Sequence, residues 1–304
     1  VLKSCAHGTF LSLDKHSKSI VSTQRPVYWH LNHKEFKLSC TGETPAGRLH
    51  SMRQASTQTV AYAEKMKAVI LQFNLARLSL EEALETAKFI PGDRLADENS
   101  TLYTRCFRTA ERFRRAGHPD WVQLLGLVYF LGGIVSSLDN DSDASLVRAT
   151  EYDWTIPSNS SIIGYSPSGG KPYNDSYSKN GPHRCNTKSE YEPHCGLDQV
   201  HLTWSGPEYL YNLLAQNCVN VPREGLRMLR FASLEAWHSL GGYRDLLDNE
   251  DLADEPHVAD FASLVQDKDS ILADDLSQDK CLSLWDNHYK FVAEKYGMGD
   301  TLRW

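Results

Sequence analysis

The segment Val122–Val135 constrains the fold more than any other part of the chain, because it is the most apolar stretch of the sequence. A helix that spans a membrane needs about 20 consecutive apolar residues. This segment is shorter, Gln123 and Gly126 interrupt it, and a pair of glycines lies near its end. We therefore predict a helix over Trp121–Leu131 that lies in the centre of a globular core and does not cross a membrane.

Helical periodicity recurs along most of the chain after residue 50. Apolar residues return at helical spacing in further segments: 51–74, Leu78–Lys88, Tyr103–Ala116, Glu208–Asn217, Glu224–His238 and Trp285–Tyr296. The sequence thus predicts a mostly all-α fold with short β pieces. Residues 1–50 are predicted as an irregular N-terminal lead-in, and 51–304 as a single helical domain. Residues 139–192, rich in Ser, Asn, Gly and Pro, are predicted as a long active-site loop with short strands near Ile156 and Ile162.

Composition and charge exclude several classes of protein. The 304 residues are 41% hydrophobic and 23% charged, as in ordinary globular proteins. A formal net charge of −7 argues against nucleic-acid binding, which depends on basic patches. Seven cysteines, an odd number spread over a long chain, do not indicate the disulfide framework of a small secreted protein. Since the first residues resemble neither a signal peptide nor a transit peptide, we predict a cytoplasmic protein.

Several motifs become specific when they are taken together. They are Cys106-Phe-Arg-Thr-Ala-Glu111, His118–Leu127, Tyr129–Gly133, Pro193-His-Cys-Gly-Leu197, Trp204, Glu208–Tyr211, Arg230-Phe231 and Trp237-His238. In this order and spacing they resemble the myo-inositol oxygenase family, helical enzymes of the HD type. The resemblance runs from about Leu49 to Trp304 and implies an HD-domain-like helical bundle. It also implies the family activity, in which two irons and O2 cleave an inositol ring to a uronic acid.

The same resemblance indicates where this sequence departs from the family. The six iron-ligand positions fall on Arg105, Tyr129, Phe130, His194, Gly206 and Gly242. Five of the six therefore carry a residue that is not the family's ligand, and the lysine that contacts the substrate falls on Gly133. Two irons need several carboxylate and imidazole ligands, and the guanidinium of Arg105 would repel a cation. We therefore expect neither a metal centre nor oxygen-dependent cleavage of inositol.

The replacements are expected to make the inherited site larger and less charged. This favours an apolar small molecule with a carbonyl group, such as a terpenoid or polyketide intermediate of secondary metabolism, over inositol, whose many hydroxyls need polar partners. We expect an enzyme without metal or cofactor that folds this substrate for intramolecular cyclisation, for instance a [4+2] cycloaddition, or for isomerisation. Tyr129 and Arg105 are the candidate donors to the carbonyl, and His194 is a further donor or orienting group. The candidate substrate-binding residues are Phe130, Trp121, Asn159, Trp204, Gly206 and Gly242.

Other functions and several structural roles stay open at this point. A non-catalytic pseudoenzyme that binds or scaffolds another molecule fits the same replacements, and a residual iron-dependent inositol oxygenase fits them least. His194 can be a hydrogen-bonded structural histidine, and Arg105 can be solvated or pair with Glu111 or Asp120. The residues for which core packing is the alternative role are Tyr129, Phe130, Trp121 and Trp204.

Overall fold

The structure is a computed structural model of the 304-residue chain. It describes residues 58–93, 97–138, 154, 159–165, 190–266 and 276–304, together with short strands between residues 2 and 38. Most of the predicted loop 139–192, including the strand predicted near Ile156, lies outside the described residues. The strand predicted near Ile162 is present as a single antiparallel bridge to Leu202.

The strands are short and pair in small antiparallel groups. They are β1 (Leu2–Lys3), β2 (Thr9–Leu13), β3 (Ile20–Gln24), β4 (Val27–Leu31), β5 (Lys34–Leu38), β6 (Arg77–Leu78), β7 (Pro91–Asp93), β8 (Asp97–Thr101) and β9 (Leu302–Arg303). Strands β1 to β3 form one sheet, and the other pairs are β4 with β5, β6 with β9 and β7 with β8. The segment 1–50, predicted as irregular, thus contains strands, whereas the predicted domain boundary at residue 51 stays a prediction.

The described part of the chain is mainly helical, which confirms the predicted fold class. The helices are α1 (Val60–Ile70), α2 (Leu80–Ala87), α3 (Leu102–Arg115), α4 (Asp120–Val128), α5 (Val135–Leu138), α6 (Gly206–Gln216), α7 (Arg223–Phe231), α8 (Glu235–His238), α9 (Asn249–Gln266), α10 (Gln278–Leu284) and α11 (Lys290–Lys295). A 3₁₀ turn over Leu131–Ile134 joins α4 to α5, and a π-helical turn over Trp285–Tyr289 joins α10 to α11.

Helix α2 begins where its sequence predicts. The Ser79 hydroxyl accepts a hydrogen bond from the backbone N–H of Glu82, and the Glu82 carboxylate accepts one from the backbone N–H of Ser79. This reciprocal pair satisfies two of the N–H groups that the first turn of a helix leaves without intrahelical partners. The predicted N-cap with acidic residues in the first turn is therefore confirmed.

Helix α4 is the central helix, as its apolar sequence predicts. It is buried from Val122 to Val128, and α3 packs along it. Gly126 is required at the crossing, because a Cβ there would lie 2.5 Å from the Phe113 ring. The stretch Asp120–Leu138 is long and apolar enough to span a membrane, but 72% of its most apolar window is buried inside the protein. This burial is typical of the core helix of a globular protein.

Three helical segments differ from the predictions in more than the exact position of their ends. The segment Glu224–His238 is two helices, α7 and α8, because the chain turns at Leu234, whose backbone is not helical. The predicted helix Trp285–Tyr296 contains a π-helical turn and follows α10. Helix α9 is not predicted, because Pro256 interrupts its sequence and its buried apolar residues begin only at Val258. Its packing against α7 and α3, a tertiary effect, stabilises it.

Candidate functional site

Arg105 lies on α3 and turns inward onto an aromatic ring. Its guanidinium carbon lies 3.8 Å from the centroid of the Phe130 ring, a cation–π distance. One guanidinium nitrogen donates a hydrogen bond of 2.7 Å to the backbone oxygen of Gly92. A cation is therefore held at a position that the family resemblance assigns to an iron ligand.

The two carboxylates considered as partners of Arg105 have other contacts. Glu111 accepts hydrogen bonds from the Tyr289 hydroxyl at 2.7 Å and from Arg114 at 3.2 Å. Asp120 accepts hydrogen bonds from Lys295 and Tyr296 at the start of α4. Each of the two carboxylates thus has hydrogen-bond donors other than Arg105.

Tyr129 and Phe130 follow α4 directly and are both buried. Their rings meet edge to face, with centroids 4.9 Å apart, and Tyr129 also contacts the Phe261 ring of α9. Burial raises the pKa of Tyr129 well above its usual value, although Arg105 and a hydrogen bond with Ser233 oppose this effect. The Tyr129 hydroxyl therefore stays protonated and serves as a neutral hydrogen-bonding group, not as a base.

A group of buried hydroxyls surrounds Tyr129; we name Ser160, Ser205, Ser233 and Tyr129 the hydroxyl cluster. The Ser160 Oγ lies 2.7 Å from the Ser233 Oγ and 3.4 Å from the Ser205 Oγ. The neighbouring Ser233 side chain lowers the pKa of Tyr129, against the effect of burial. The cluster thus links the end of α4, the start of α6 and the turn between α7 and α8.

Sequence reasoning missed three of the four members of the hydroxyl cluster. The sequence does indicate a role for Ser205, because a serine directly before Gly206-Pro207 is typical of a helix N-cap. Ser160 and Ser233 carried none, since one lies in the long loop and the other in a segment predicted as helix. Their contact exists only because the fold brings residues 73 positions apart within hydrogen-bond distance.

Gly206 begins α6 beside the hydroxyl cluster, and its two sides differ. A Cβ on Gly132 would lie 3.0 Å from the Gly206 Cα, so the 3₁₀ turn after α4 packs closely against this side. A Cβ built on Gly206 itself would meet no atom of the described residues within 4 Å, although the residue is buried. Close packing against the described residues therefore explains Gly132 but not Gly206.

His194 lies outside this buried group. It is exposed, with a positive φ of 59°, and its Nδ1 lies 3.0 Å from the backbone oxygen of Leu247. Its backbone N–H donates to the backbone oxygen of Asp245 at 2.8 Å. This geometry is that of the hydrogen-bonded structural histidine considered as the alternative.

Two of the other candidate residues lie away from the Tyr129 hydroxyl. Trp121 is half-buried at the start of α4 and lies against Gly225. About 12 Å of helix separate Trp121 from Tyr129. Asn159 is exposed and donates a hydrogen bond of 2.5 Å to the Glu235 carboxylate. These contacts give Trp121 and Asn159 a role in packing and hydrogen bonding within the protein, without a bound ligand.

The remaining two candidates are buried. Trp204 directly precedes the N-cap Ser205, and the Gln58 side-chain amide both donates to its backbone oxygen and accepts from its backbone N–H. Its ring contacts Trp154 with centroids 5.6 Å apart. Gly242 donates its backbone N–H to the backbone oxygen of Ala236, which closes the turn after α8.

Buried ion pairs fasten the helices around this group. Glu208 on α6 is bound by Arg230 of α7 and by Lys67 of α1, at 2.7 and 3.3 Å. Burial alone would raise the pKa of the Glu208 carboxyl, but Arg230 and Lys67 outweigh burial and hold the pKa below its usual value. The ionised Glu208 therefore fixes the first turn of α6, with Ser205 and Gly206, against α7.

The described residues contain no cluster of side chains that could hold a metal. Among these residues, no three His, Cys, Asp or Glu side chains lie close enough together to hold a metal ion. The groups at three of the family's iron-ligand positions are a half-buried guanidinium and two buried aromatic rings, one of which carries a hydroxyl. Such groups suit a neutral molecule with hydrogen-bonding oxygen atoms.

The fold and the buried group together define an all-α, HD-domain-like protein. A family model described as myo-inositol oxygenase matches residues 48–296. The chain is 30% identical over 211 residues to inositol oxygenase of Sus scrofa, an alignment that covers 67% of this chain and 71% of the relative. It is 29% identical over 211 residues to inositol oxygenase of Homo sapiens, covering 67% and 70%, and 28% identical over 200 residues to inositol oxygenase 1 of Arabidopsis thaliana, covering 64% and 61%. The chain belongs to the myo-inositol oxygenase family.

Proposed function

We propose that this member of the family is a metal-independent enzyme acting on an apolar small molecule with a carbonyl group. The observation that carries the proposal is the packing of the Arg105 guanidinium on Phe130, beside Tyr129, at three positions where the resemblance assigns iron ligands. A cation, an aromatic ring and a phenol with a raised pKa do not fit two ferrous or ferric ions. We therefore derive no step through iron.

The reaction that these groups favour is a ring closure or an isomerisation of a flexible substrate. A shaped apolar space can hold such a substrate in a reactive conformer, which lowers the entropic part of the barrier. The Tyr129 hydroxyl, with Arg105 nearby, can donate a hydrogen bond to the substrate carbonyl, where negative charge grows in the transition state. An intramolecular [4+2] cycloaddition needs no further chemistry, because its product is an isomer of the substrate.

The proposal assigns a different role to each of the site residues. Tyr129 and Arg105 are the donors, Phe130 forms part of the apolar wall, and Gly206 provides space. His194, exposed and bonded to the backbone, has no role in the proposed chemistry. A cytoplasmic location stays part of the proposal.

A second candidate function is a non-catalytic binding or scaffold protein. The observation that favours it is the engagement of Arg105 by Gly92 and Phe130, which occupies part of its donor capacity within the protein. In that case Arg105, Tyr129 and Phe130 only pack the position of the family's metal centre, and a partner binds elsewhere.

Anaerobic loading with Fe(II) tests the metal-independent part of the proposal. We expect the desalted protein to retain far less than one iron per chain by elemental analysis, because five family ligand positions lack ligand side chains. The inositol oxygenase of Homo sapiens, loaded in parallel, is the control. Two irons retained per chain would contradict the proposal and restore the oxygenase function.

Ring closure by chelator-treated protein separates the enzyme from the scaffold. The probe is a linear triene carrying an α,β-unsaturated ketone, and its intramolecular cycloaddition is followed by chromatography. We expect the wild type to accelerate it and Tyr129→Phe to slow it about 10-fold, less than the roughly 100-fold cost of losing a donor to a full oxyanion. Tyr296→Phe, which removes a phenol bonded to Asp120, is the matched control. No acceleration by the wild type would favour the scaffold function, whereas equal accelerated rates in the wild type and Tyr129→Phe would move the site away from Tyr129.

A further inference from the structure

The end of helix α8 carries a serine whose hydroxyl contacts an imidazole ring. The Ser239 Oγ lies 2.9 Å from the His238 Nδ1, which is hydrogen-bond distance. On the other side of the same ring, the His238 Nε2 lies 3.0 Å from the backbone oxygen of Ala232. Both ring nitrogens of His238 therefore have an identified partner, and a backbone group orients the ring.

The two partners determine which nitrogen of neutral His238 carries the hydrogen. A backbone oxygen only accepts hydrogen bonds, so Nε2 carries the hydrogen that is donated to Ala232. The Nδ1 atom then presents a lone pair, and the Ser239 hydroxyl donates its hydrogen to that lone pair. The hydrogen bond thus points in the direction in which a histidine takes a proton from a serine.

The surroundings of His238 favour its neutral form. Burial lowers the pKa of His238, although a backbone hydrogen bond and the carboxylates of Glu235 and Glu255 oppose this effect. Glu235 lies on α8 itself, and Glu255 lies on α9, where the Arg244 guanidinium donates to it at 2.7 Å. At neutral pH the ring is therefore able to act as a base.

Another serine of the protein provides a comparison for Ser239. Both Ser239 and Ser263 are exposed, but the Ser263 Oγ donates its hydrogen to the backbone oxygen of Asp260 at 2.7 Å. A neutral imidazole can take a proton near neutral pH, whereas a backbone oxygen cannot. The Ser239 hydroxyl is also not needed to end α8, since the Ser239 backbone N–H donates to the backbone oxygen of Glu235 at 3.0 Å.

We propose that Ser239 is a nucleophile activated by His238, and that it accepts an acyl group from an activated ester. A serine hydroxyl bonded to a base, with the base oriented by a third group, is the arrangement found in nucleophilic catalysis. Here the third group is the backbone oxygen of Ala232. The inference goes beyond the proposed function, because it concerns other residues and another reaction.

The acyl transfer balances without an oxidant or a cofactor. The Ser239 Oγ attacks the carbonyl carbon of the ester, and the Oγ hydrogen moves as a proton to the His238 Nδ1. The bond between the carbonyl carbon and the leaving oxygen then breaks. The leaving group takes the proton from His238, so that the products are an acylated Ser239 and a free alcohol or phenol.

Acetylation of the full chain by p-nitrophenyl acetate tests the proposal. Peptide mapping by mass spectrometry follows the acetyl group on Ser239 and on Ser263 in the same sample. We expect Ser239 to react about 100-fold faster than Ser263, a gain typical of general-base catalysis. Because the pKa of His238 is lowered, the rate at Ser239 should rise with pH and reach a plateau by neutral pH. The rate at a serine without a base should keep rising.

The variant His238→Gln separates the base from the structural role of the ring. A glutamine amide can still donate to the backbone oxygen of Ala232, but it cannot take a proton from Ser239. We expect acetylation of Ser239 in this variant to fall to the rate of Ser263, while the rate of Ser263 stays unchanged. Thermal melting shows whether the variant is folded, and the wild-type comparison and pH profile decide the question without it.

Several results would overturn the assignment of Ser239 as an activated nucleophile. They are equal rates at Ser239 and Ser263, a Ser239 rate without a plateau, an acetyl group on the His238 ring with none on Ser239, and an unchanged Ser239 rate in folded His238→Gln. The contact between Ser239 and His238 would then be structural only. Iron loading and ring closure test the proposed function separately, since neither depends on Ser239.

Discussion

Arg227→Ala should lower the free energy of unfolding by about 3–5 kcal/mol, the cost of breaking a buried ion pair by removing one partner. The Arg227 side chain is 3% exposed and contacts three carboxylates at 2.5 Å, those of Asp198, Asp251 and Asp254. Asp251 is fully buried and would keep an uncompensated charge. Urea denaturation of the variant and the wild type measures the difference.

Arg223→Ala is the matched control for this prediction. The Arg223 side chain is 63% exposed, although it too pairs with two carboxylates, those of Asp198 and Glu250. Exposed pairs contribute about 0–1 kcal/mol, so this variant should be nearly as stable as the wild type. Equal losses in the two variants would contradict the assignment of Arg227 as the buried hub.

The pH dependence of the Arg227→Ala loss provides a second measurement. In the wild type, burial raises the pKa of the Asp251 carboxyl, while hydrogen bonds from Leu197, Asp248 and Arg227 lower it. Loss of Arg227 should therefore raise this pKa further. A carboxyl whose folded pKa lies above its unfolded value destabilises the fold as pH rises through the unfolded value. The deficit of the variant should accordingly be largest near neutral pH and shrink at acidic pH.

Trp304→Ala should cost about 3–5 kcal/mol of unfolding free energy, as large-to-small changes of buried aromatic residues do. Trp304 is 1% exposed, and its indole N–H donates to the backbone oxygen of Leu78 at 3.1 Å. Its backbone bonds to Ala76, beside the pairing of β9 with β6. The variant would leave both a cavity and an acceptor without its donor. Guanidinium denaturation measures the loss.

Arg303→Ala is the control on the same strand. The Arg303 side chain is exposed, and its backbone contacts to Asn217 do not depend on the side chain. Changes at such surface positions are usually within about 0.5 kcal/mol. A loss in Trp304→Ala no larger than that of Arg303→Ala would show that the β6–β9 end contributes little to stability.

The sequence alone indicated the family, the fold class and much of the helical pattern. Helix α2 begins at Ser79 as predicted, because a capping box is a local arrangement of residues three apart. Helix α4 is central as predicted, since a helix that is apolar on nearly all sides must be buried. The break at Leu234 and helix α9 were missed, because packing against other helices overrode the local signals of those segments.

Some of the candidate site residues could be predicted from the sequence and others could not. The motifs singled out Arg105, Tyr129, Phe130 and Gly206. The structure packs Phe130 against both Arg105 and Tyr129, and it places Gly206 directly after Ser205 of the hydroxyl cluster. The motifs also singled out His194 and Trp121, which the structure places at the surface and at the far end of α4. Spacing in sequence fixed which positions belong to the family pattern, but it carried no information about distance in space.

Short-range physics therefore determined what the sequence could reveal by itself: helix periodicity, caps, and which residue types stand at which motif positions. Only the tertiary structure decided that Ser160 meets Ser205 and Ser233 in the core. The physical reason is that these contacts join residues from separate elements, whose approach depends on how the helices pack and on the buried charges that fasten them. A serine gives no sign in sequence of which partner it will find across the core.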